Sequence, residues 1–442
     1  MNTPICDFVR AYAAGGSLRL HMPGHKGTGP LGFETLDITE IPGADSLCDA
    51  HGIIRESEKN ASRLFGAETF YSAEGSSLCI RAMVYLACLH ARQQGKTPCL
   101  AAGRNAHKTL VSAAALLDPE LVWLVPKAQA SYLSCPVTAE DVAAVLAQNP
   151  VTAVYLTAPD YLGCLPELSS IARVCREKGV LLLVDNAHGA YLKFLPGSLH
   201  PMDLGADLCC DSAHKTLPVL TGGAYLHVSP RLPELASRAK QAMALFGSTS
   251  PSYLILQSLD AANPCLAETF PRQLAEFLPM AAETRRELIQ AGWSLYGTEP
   301  LKLTLRPASM GYTGLELERE LAGRGIVCEF ADPLFTVCML TPGTGKDGLQ
   351  RLTEALLSLS RRAPIREEVP AFRLPERVMS IREAALSPSE TVSVEEARGR
   401  VLAAATVSCP PAVPLAVCGE RLEDDVLAAL RFYGTAALQV VK

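Results

Sequence analysis

The middle of the chain alternates short apolar runs with an amphipathic stretch, and this alternation constrains the fold more than any other feature. "TAVYLT" (152–157) is a short apolar run bounded by Ala-Pro-Asp, which predicts a buried strand. "LPELSSIARVCREKG" (165–179) has Pro166 near its start, apolar residues at helical spacing, a basic last turn and Gly179 at its end, which together predict a helix. "VLLLVD" (180–185) is a second apolar run. Strand, helix and strand make a βαβ unit, and strands that are apolar along their whole length belong to a parallel sheet covered on both faces. "ADLCCDS" (206–212) and "GAYLHV" (223–228) predict two further strands. The expected fold class is α/β, with a mostly parallel sheet in a large domain.

The flanking regions read differently. Residues 1–50 are rich in Gly, Pro and His and predict an extended arm with little regular structure. Residues 51–265 form the large domain, where "SEKNASRLFGA" and "SLCIRAMVYLACLHARQQG" show a helical period that stops at Gly66 and Gly95. Residues 266–360 suggest a smaller α+β domain. Residues 361–380 are rich in proline and charge, as a linker would be. Residues 381–442 form a last piece, with a helix expected in "SVEEARGRVLAA" (393–404).

Composition narrows the function classes. The 442 residues suffice for two or three domains, and 48% apolar content is that of a globular protein. A net charge of −6 gives no hint of nucleic acid. The N-terminus lacks a signal pattern, and the longest apolar run is much shorter than a membrane span, so no membrane partner is expected. Fifteen cysteines, scattered with no C-x-x-C pair, suit reduced, buried thiols in a cytoplasmic protein. His21 and His25 are four apart, but Pro23 and Gly24 forbid a regular helix between them, so no metal site is expected there.

The chemistry concentrates where strands end. In a parallel sheet, polar residues at the C-terminal ends of strands face the ligand crevice. Asp185 ends "VLLLVD", and Lys215 follows the strand "ADLCCDS" by three residues. Pyridoxal phosphate needs a lysine for its imine, a carboxylate to keep its ring nitrogen protonated, and donors for its phosphate. "EGSSLCI" places Gly75, Ser76 and Ser77 at a helix N-terminus, where amides and hydroxyls hold an anion. Ser212 and His214 flank the lysine. Singly, a strand-end Asp is a turn residue, a strand-end Lys a surface charge, and Gly-Ser-Ser a loop. In this order on a βαβ framework they support one another.

With these blocks in view, the sequence resembles the bacterial ornithine/lysine/arginine decarboxylases of aspartate-aminotransferase fold (fold type I), especially their short forms. The resemblance is carried in family order by "LHMPGHKG" (20–27), "DITEIPGADSL" (37–47) with "HGIIRESE", "RNAHKT" (104–109), "APDYLG" (158–163), "VDNAHGAY" (184–191), "SAHKTLPVLTGGA" (212–224), "STSPSYLILQSLD" (248–260), "CPPAVPL" (409–415) and "CGE" (418–420). It implies pyridoxal 5'-phosphate as cofactor and decarboxylation of a basic amino acid (arginine, lysine or ornithine) to its amine and CO2. It assigns Lys215 to the cofactor imine, Asp185 to the ring nitrogen, His107 to the ring face and His188 to the neighbourhood of the imine. Gly75, Ser76, Ser77, Ser212 and His214 would form the phosphate site. Thr249 and Ser250 would reach the phosphate of a neighbouring subunit in a homodimer or higher homo-oligomer, since active sites of this fold lie at dimer interfaces. Lys215 or a neighbouring histidine would return a proton to Cα. Glu329, in "GIVCEFADP", lies where the family has a glutamate for the substrate's distal cation; a solvated strand-end carboxylate is the plain alternative.

The sequence departs from the family at several of these blocks. Glu74 stands where the family has Asn, and a carboxylate there should point away from a phosphate. Asn186 replaces an acid and Tyr191 a histidine; Gly222 replaces a glutamine and Ala412 a glycine. These changes leave two other readings open: an aminotransferase or other fold type I reaction, and a non-catalytic descendant that binds the cofactor.

Overall fold

Each apolar run of the middle region is a strand in the structure, a computed structural model that describes residues 1–125, 133–366, 370, 373–409 and 413–442. Ala412 and part of the 361–380 stretch lie outside the described residues. Seven strands form one sheet: β1 (Glu68–Ser72), β2 (Cys99–Gly103), β3 (Glu120–Leu124), β4 (Ala153–Thr157), β5 (Leu181–Asp185), β6 (Leu208–Asp211) and β7 (Ala224–Val228), in the order β1-β7-β6-β5-β4-β2-β3. Strands β4, β5 and β6 are parallel, with Thr157 opposite Asp185 and Asp185 opposite Cys210. All four of β4 to β7 are buried along their length, Thr157 apart, as two-sided coverage requires.

The strand "GAYLHV" departs from the parallel pattern. β7 runs antiparallel to both β6 and β1. The chain leaves β6 through a four-residue helix, then turns tightly with Val219 N–H on Leu217 O and Gly223 N–H on Leu220 O. No crossover helix follows to carry it back for a parallel strand.

The chain divides into two units, Met1–Cys99 with Pro150–Ala158 and Leu168–Leu274, and Leu100–Asn149 with Pro159–Glu167 and Ala275–Lys442. The first contains the helices α1 (Pro4–Ala14), α2 (Ile53–Phe65) and α3 (Gly75–Gln93); the second contains α4 (Lys108–Leu117) and α5 (Ala139–Gln148). α6 (Leu168–Glu177) and the short α7 (Ala213–Thr216) return to the first unit. α1 was not expected in the arm. Its first-turn amides, at Ile5 and Cys6, donate to Asp260 Oδ2 at 3.0 and 2.9 Å, so a carboxylate far along the chain completes the helix start. Ile5 and Val9 are buried, each contributing about 1.5–3 kcal/mol.

The second unit holds a four-stranded antiparallel sheet, β8 (Ser294–Tyr296), β9 (Lys302–Arg306), β10 (Phe330–Ala331) and β11 (Thr336–Met339), in the order β10-β11-β9-β8. Its C-terminal part pairs Ser389–Ser393 with Ala437–Val441 and packs the helix Asp424–Phe432 through Leu427 and Leu430 onto Leu402, Leu415 and Val440. The helix expected in 393–404 is absent. Residues 394–399 form turns, Gly399 has φ +72°, and Val401 and Leu402 make β-bridges instead. The helical spacing there came from Val394, Ala397 and Leu402 facing one core from a turn and a bridge.

Candidate active site

Three sheet-end segments and one helix start in the first unit bring the sequence-predicted residues together. Asp185 ends β5 and is buried; its Oδ2 accepts the Tyr155 hydroxyl (3.1 Å) and its Oδ1 the Ala187 N–H (3.2 Å). Lys215 lies in α7, with Nζ 2.9 Å from His188 Nε2, and His188 itself is buried. Ser212 donates its hydroxyl to Ser76 at 2.7 Å, so the two segments predicted to share an anion meet directly. α3 begins at Gly75, whose N–H donates to Gly222 O (2.7 Å), and Glu74 before it makes no side-chain bond to the first turn. His214 Nδ1 donates to Gly223 O at 3.0 Å. Ser77 begins α3 with them, half-buried.

The remaining predicted residues stand elsewhere. Thr249 and Ser250 are on an exposed loop of the first unit. His107 and Glu329 belong to the second unit. His107 caps α4: its Nδ1 accepts the Thr109 N–H (3.2 Å), which leaves the ring proton on Nε2. Glu329 is exposed and accepts the Tyr161 hydroxyl at 3.0 Å.

The departures from the family pattern have physical reasons. The Glu74 carboxylate accepts the Ser248 N–H (2.6 Å), so it is engaged by the loop that carries Thr249 and Ser250. Gly222 has φ +100°, and a Cβ there would stand 2.8 Å from Ile255 and 3.1 Å from the Ala73 carbonyl oxygen, so a glutamine does not fit this backbone. Asn186 is buried and donates its amide to Asp211 Oδ1 at 2.6 Å. Asp211 in turn accepts from His200 Nε2 (3.0 Å) and His227 Nε2 (3.1 Å). Burial alone would push the Asp211 carboxyl up, but the two imidazoles beside it hold it well below the usual carboxylate range. An acid at position 186 would face this ionised group in a water-free interior. Asn186→Asp is therefore expected to cost about 3 kcal/mol or more in stability, and the loss should deepen as pH rises, because the new carboxyl's folded pKa would be raised. Urea denaturation between pH 5 and 8 measures this; a flat, unchanged stability would refute the account.

His200, Cys209 and Asp211 also bring ligand atoms within 4.8 Å of one another. However, His200 Nδ1 takes the Met202 N–H (3.3 Å), which leaves the proton on Nε2, facing the carboxylate where a cation would need a lone pair.

Two residues of the site were missed in the sequence. Tyr155 sits inside an apolar run, where its hydroxyl gives no signal. Thr157 ends β4 directly opposite Asp185, and its hydroxyl is buried with no hydrogen-bond partner among the described residues. A ligand with a polar edge against Asp185 would satisfy it. A lysine, a buried carboxylate with an unsatisfied hydroxyl in the next strand, and serines at a helix start are the donor set that pyridoxal phosphate requires, so the residues fit the cofactor.

Comparison with known proteins agrees with this geometry. The family model described as Orn/Lys/Arg decarboxylase, major domain, matches residues 3–348, and that described as Orn/Lys/Arg decarboxylase, C-terminal domain, matches 369–439. An arginine decarboxylase of Halalkalibacterium halodurans is 31% identical over 476 residues, covering 99% of this chain and 94% of the relative. An arginine decarboxylase of Bacillus subtilis is 29% identical over 459 residues, covering 96% and 92%. The lysine decarboxylase LdcF of Francisella novicida shares the fold, with a TM-score of 0.81 at 16% identity, covering 100% of this chain and 81% of that one. Sequence blocks, site and full-length matches converge: the chain belongs to the ornithine/lysine/arginine decarboxylase family, pyridoxal-phosphate enzymes of fold type I that convert a basic amino acid to its amine and CO2.

Proposed function

We propose that the substrate is arginine, released as its decarboxylated amine, and that the residues gathered at the ends of β5 and β6 carry the reaction. The observation behind the reading of the site is the buried Asp185 at the end of β5, with His188 three residues after it and 2.9 Å from Lys215 of α7. The choice of arginine rests on relatives that match along nearly their whole length and are arginine decarboxylases. Pyridoxal phosphate, when bound, supplies a ring that accepts the electron pair left as the bond from Cα to the carboxylate breaks. Lys215 anchors the cofactor and Asp185 keeps the ring nitrogen protonated. The first-turn amides of α3 with Ser76, Ser77, Ser212 and His214 hold the phosphate. By the family resemblance, His107 would supply an imidazole to the ring face. Lys215 Nζ and His188 Nε2 share a hydrogen bond, and either of these groups delivers the proton that Cα takes up.

A second copy of the chain completes the site in this reading, Thr249 and Ser250 reaching its phosphate. The arm supports it: Leu18 and Leu20 are each 83% exposed, and Met22 and Leu31 are exposed beside them. No helix among the described residues is long and apolar enough to cross a membrane, and the described cysteines are free thiols, which suits a reducing cytoplasm.

Incubating the purified protein with pyridoxal phosphate and arginine, lysine or ornithine, and measuring amine and CO2, tests the proposal. Release from lysine or ornithine in preference to arginine would overturn the substrate choice. Absence of release from all three, with cofactor absorbance intact, would overturn the reaction. Glu329→Gln is expected to raise the arginine KM about tenfold or more with kcat changed little, because a guanidinium loses a charged, bidentate partner. An unchanged KM would remove Glu329 from the substrate site.

A further inference from the structure

We infer that Tyr155 is a positioning residue for Asp185, turning its carboxylate toward the cofactor ring and keeping the shared proton on the ring nitrogen. This rests on the reading of Asp185 as the partner of that nitrogen. The sheet sets the geometry. β4 and β5 pair in parallel, Tyr155 with Leu183 and Thr157 with Asp185, so Tyr155 lies on the same face as Asp185, one step back along the neighbouring strand. From there its fully buried side chain extends toward the strand end, and its hydroxyl donates to Asp185 Oδ2 at 3.1 Å. On the other flank Cys210 lies opposite Asp185, with Sγ 3.6 Å from Oδ1, and the Ala187 N–H donates to the same oxygen.

The carboxylate is thus fixed through both oxygens by groups that do not change charge. Burial pushes the Tyr155 hydroxyl and the Cys210 thiol up, and the Asp185 charge raises both further, so each keeps its proton at any working pH. Neutral donors aimed at a buried carboxylate favour its ionised form, and a dry setting strengthens them. The Tyr155 hydroxyl on Oδ2 and the Ala187 N–H on Oδ1 fix the plane of the carboxylate, so that a remaining lone pair would face the N–H of the ring. Without the Tyr155 hydroxyl the carboxylate could rotate away, and the ring N–H would lose the acceptor that holds its proton in place.

The test uses holoenzyme reconstituted with pyridoxal phosphate carrying 15N at the ring nitrogen, as wild type and as Tyr155→Phe. In wild type the ring resonance is expected in the protonated pyridinium range. In Tyr155→Phe it should move toward the unprotonated range. The kcat should fall about tenfold, the factor corresponding to one pKa unit, while KM stays within about twofold. A purely structural role would lower thermal stability without moving the resonance. Cys210→Ala, which removes the longer contact, should shift the resonance less and in the same direction, and it serves if the phenylalanine variant does not fold. An unprotonated ring in wild type would overturn the reading of Asp185 and this inference with it. A protonated wild type with an unmoved resonance in the folded variants would overturn the inference alone.

Discussion

Lys215→Ala loses cofactor attachment and turnover together: the reconstituted variant shows no visible band of lysine-bound cofactor, and amine release falls by a factor on the order of 10^4. The two losses are coupled because one amine serves both. In the proposed reading Lys215 Nζ bonds the cofactor, and with His188 Nε2 at 2.9 Å it forms the pair from which Cα takes its proton. The fold should survive, because Lys215 is only half-buried. Far-ultraviolet circular dichroism and a thermal melt verify that. Retained turnover would remove Lys215 from the mechanism. A variant that still shows the visible band would mean that another amine holds the cofactor. This result also separates an enzyme from a non-catalytic descendant, which would have no turnover to lose.

The second large effect is on stability. Glu420→Ala is expected to cost about 3–5 kcal/mol, read as a drop in the urea midpoint at unchanged slope. Arg104 and Glu420 are each 2% exposed and form an ion pair at 2.9 Å. The guanidinium also donates to the carbonyl oxygens of Pro414 (3.1 Å) and Leu415 (3.3 Å) and lies over the Trp123 ring at 4.8 Å. Glu420 accepts the Val417 N–H with the same oxygen, and burial raises its pKa against the pull of Arg104. Removing the carboxylate therefore strands a buried cation and opens the turn formed by "CGE" after Val417. Glu420→Gln should cost less, since it retains an acceptor. A loss below about 1 kcal/mol for the alanine variant would show that water reaches the pair. His107 lies three residues beyond Arg104, so the C-terminal segment is built into the loop that leads to it.

Asp185 and Lys215 were legible in the sequence because continuous apolar runs mark strand ends, and in a parallel sheet those ends face the ligand. Gly75 to Ser77 were legible as a helix start by their residue types. What stayed hidden depended on partners distant in the chain. α1 was invisible in the arm because its capping carboxylate is Asp260, and no local residue signals it. Tyr155 looked like one more apolar strand residue, since hydrophobic pattern does not report where a hydroxyl points. Residues 393–404 carried a helical spacing because a turn and a bridge present side chains to one core at similar intervals. The antiparallel β7 was concealed for a different reason: a fully buried strand is apolar on both faces whichever way it runs.

The hydrogen bond between Asn186 and Asp211 has a consequence for how this chain can change. An amide at one position and a carboxylate at the other form one mutational unit, and an acid at 186 beside an unchanged Asp211 would set two acids against each other. Grafting the family's "DEAHGAH" into this protein in place of "DNAHGAY" should therefore fail in isolation and be rescued by a compensating change at position 211. Position 186 is thus tied through Asp211 to His200 and His227, and a substitution at 186 acts on residues that the "DNAHGAY" block itself does not contain.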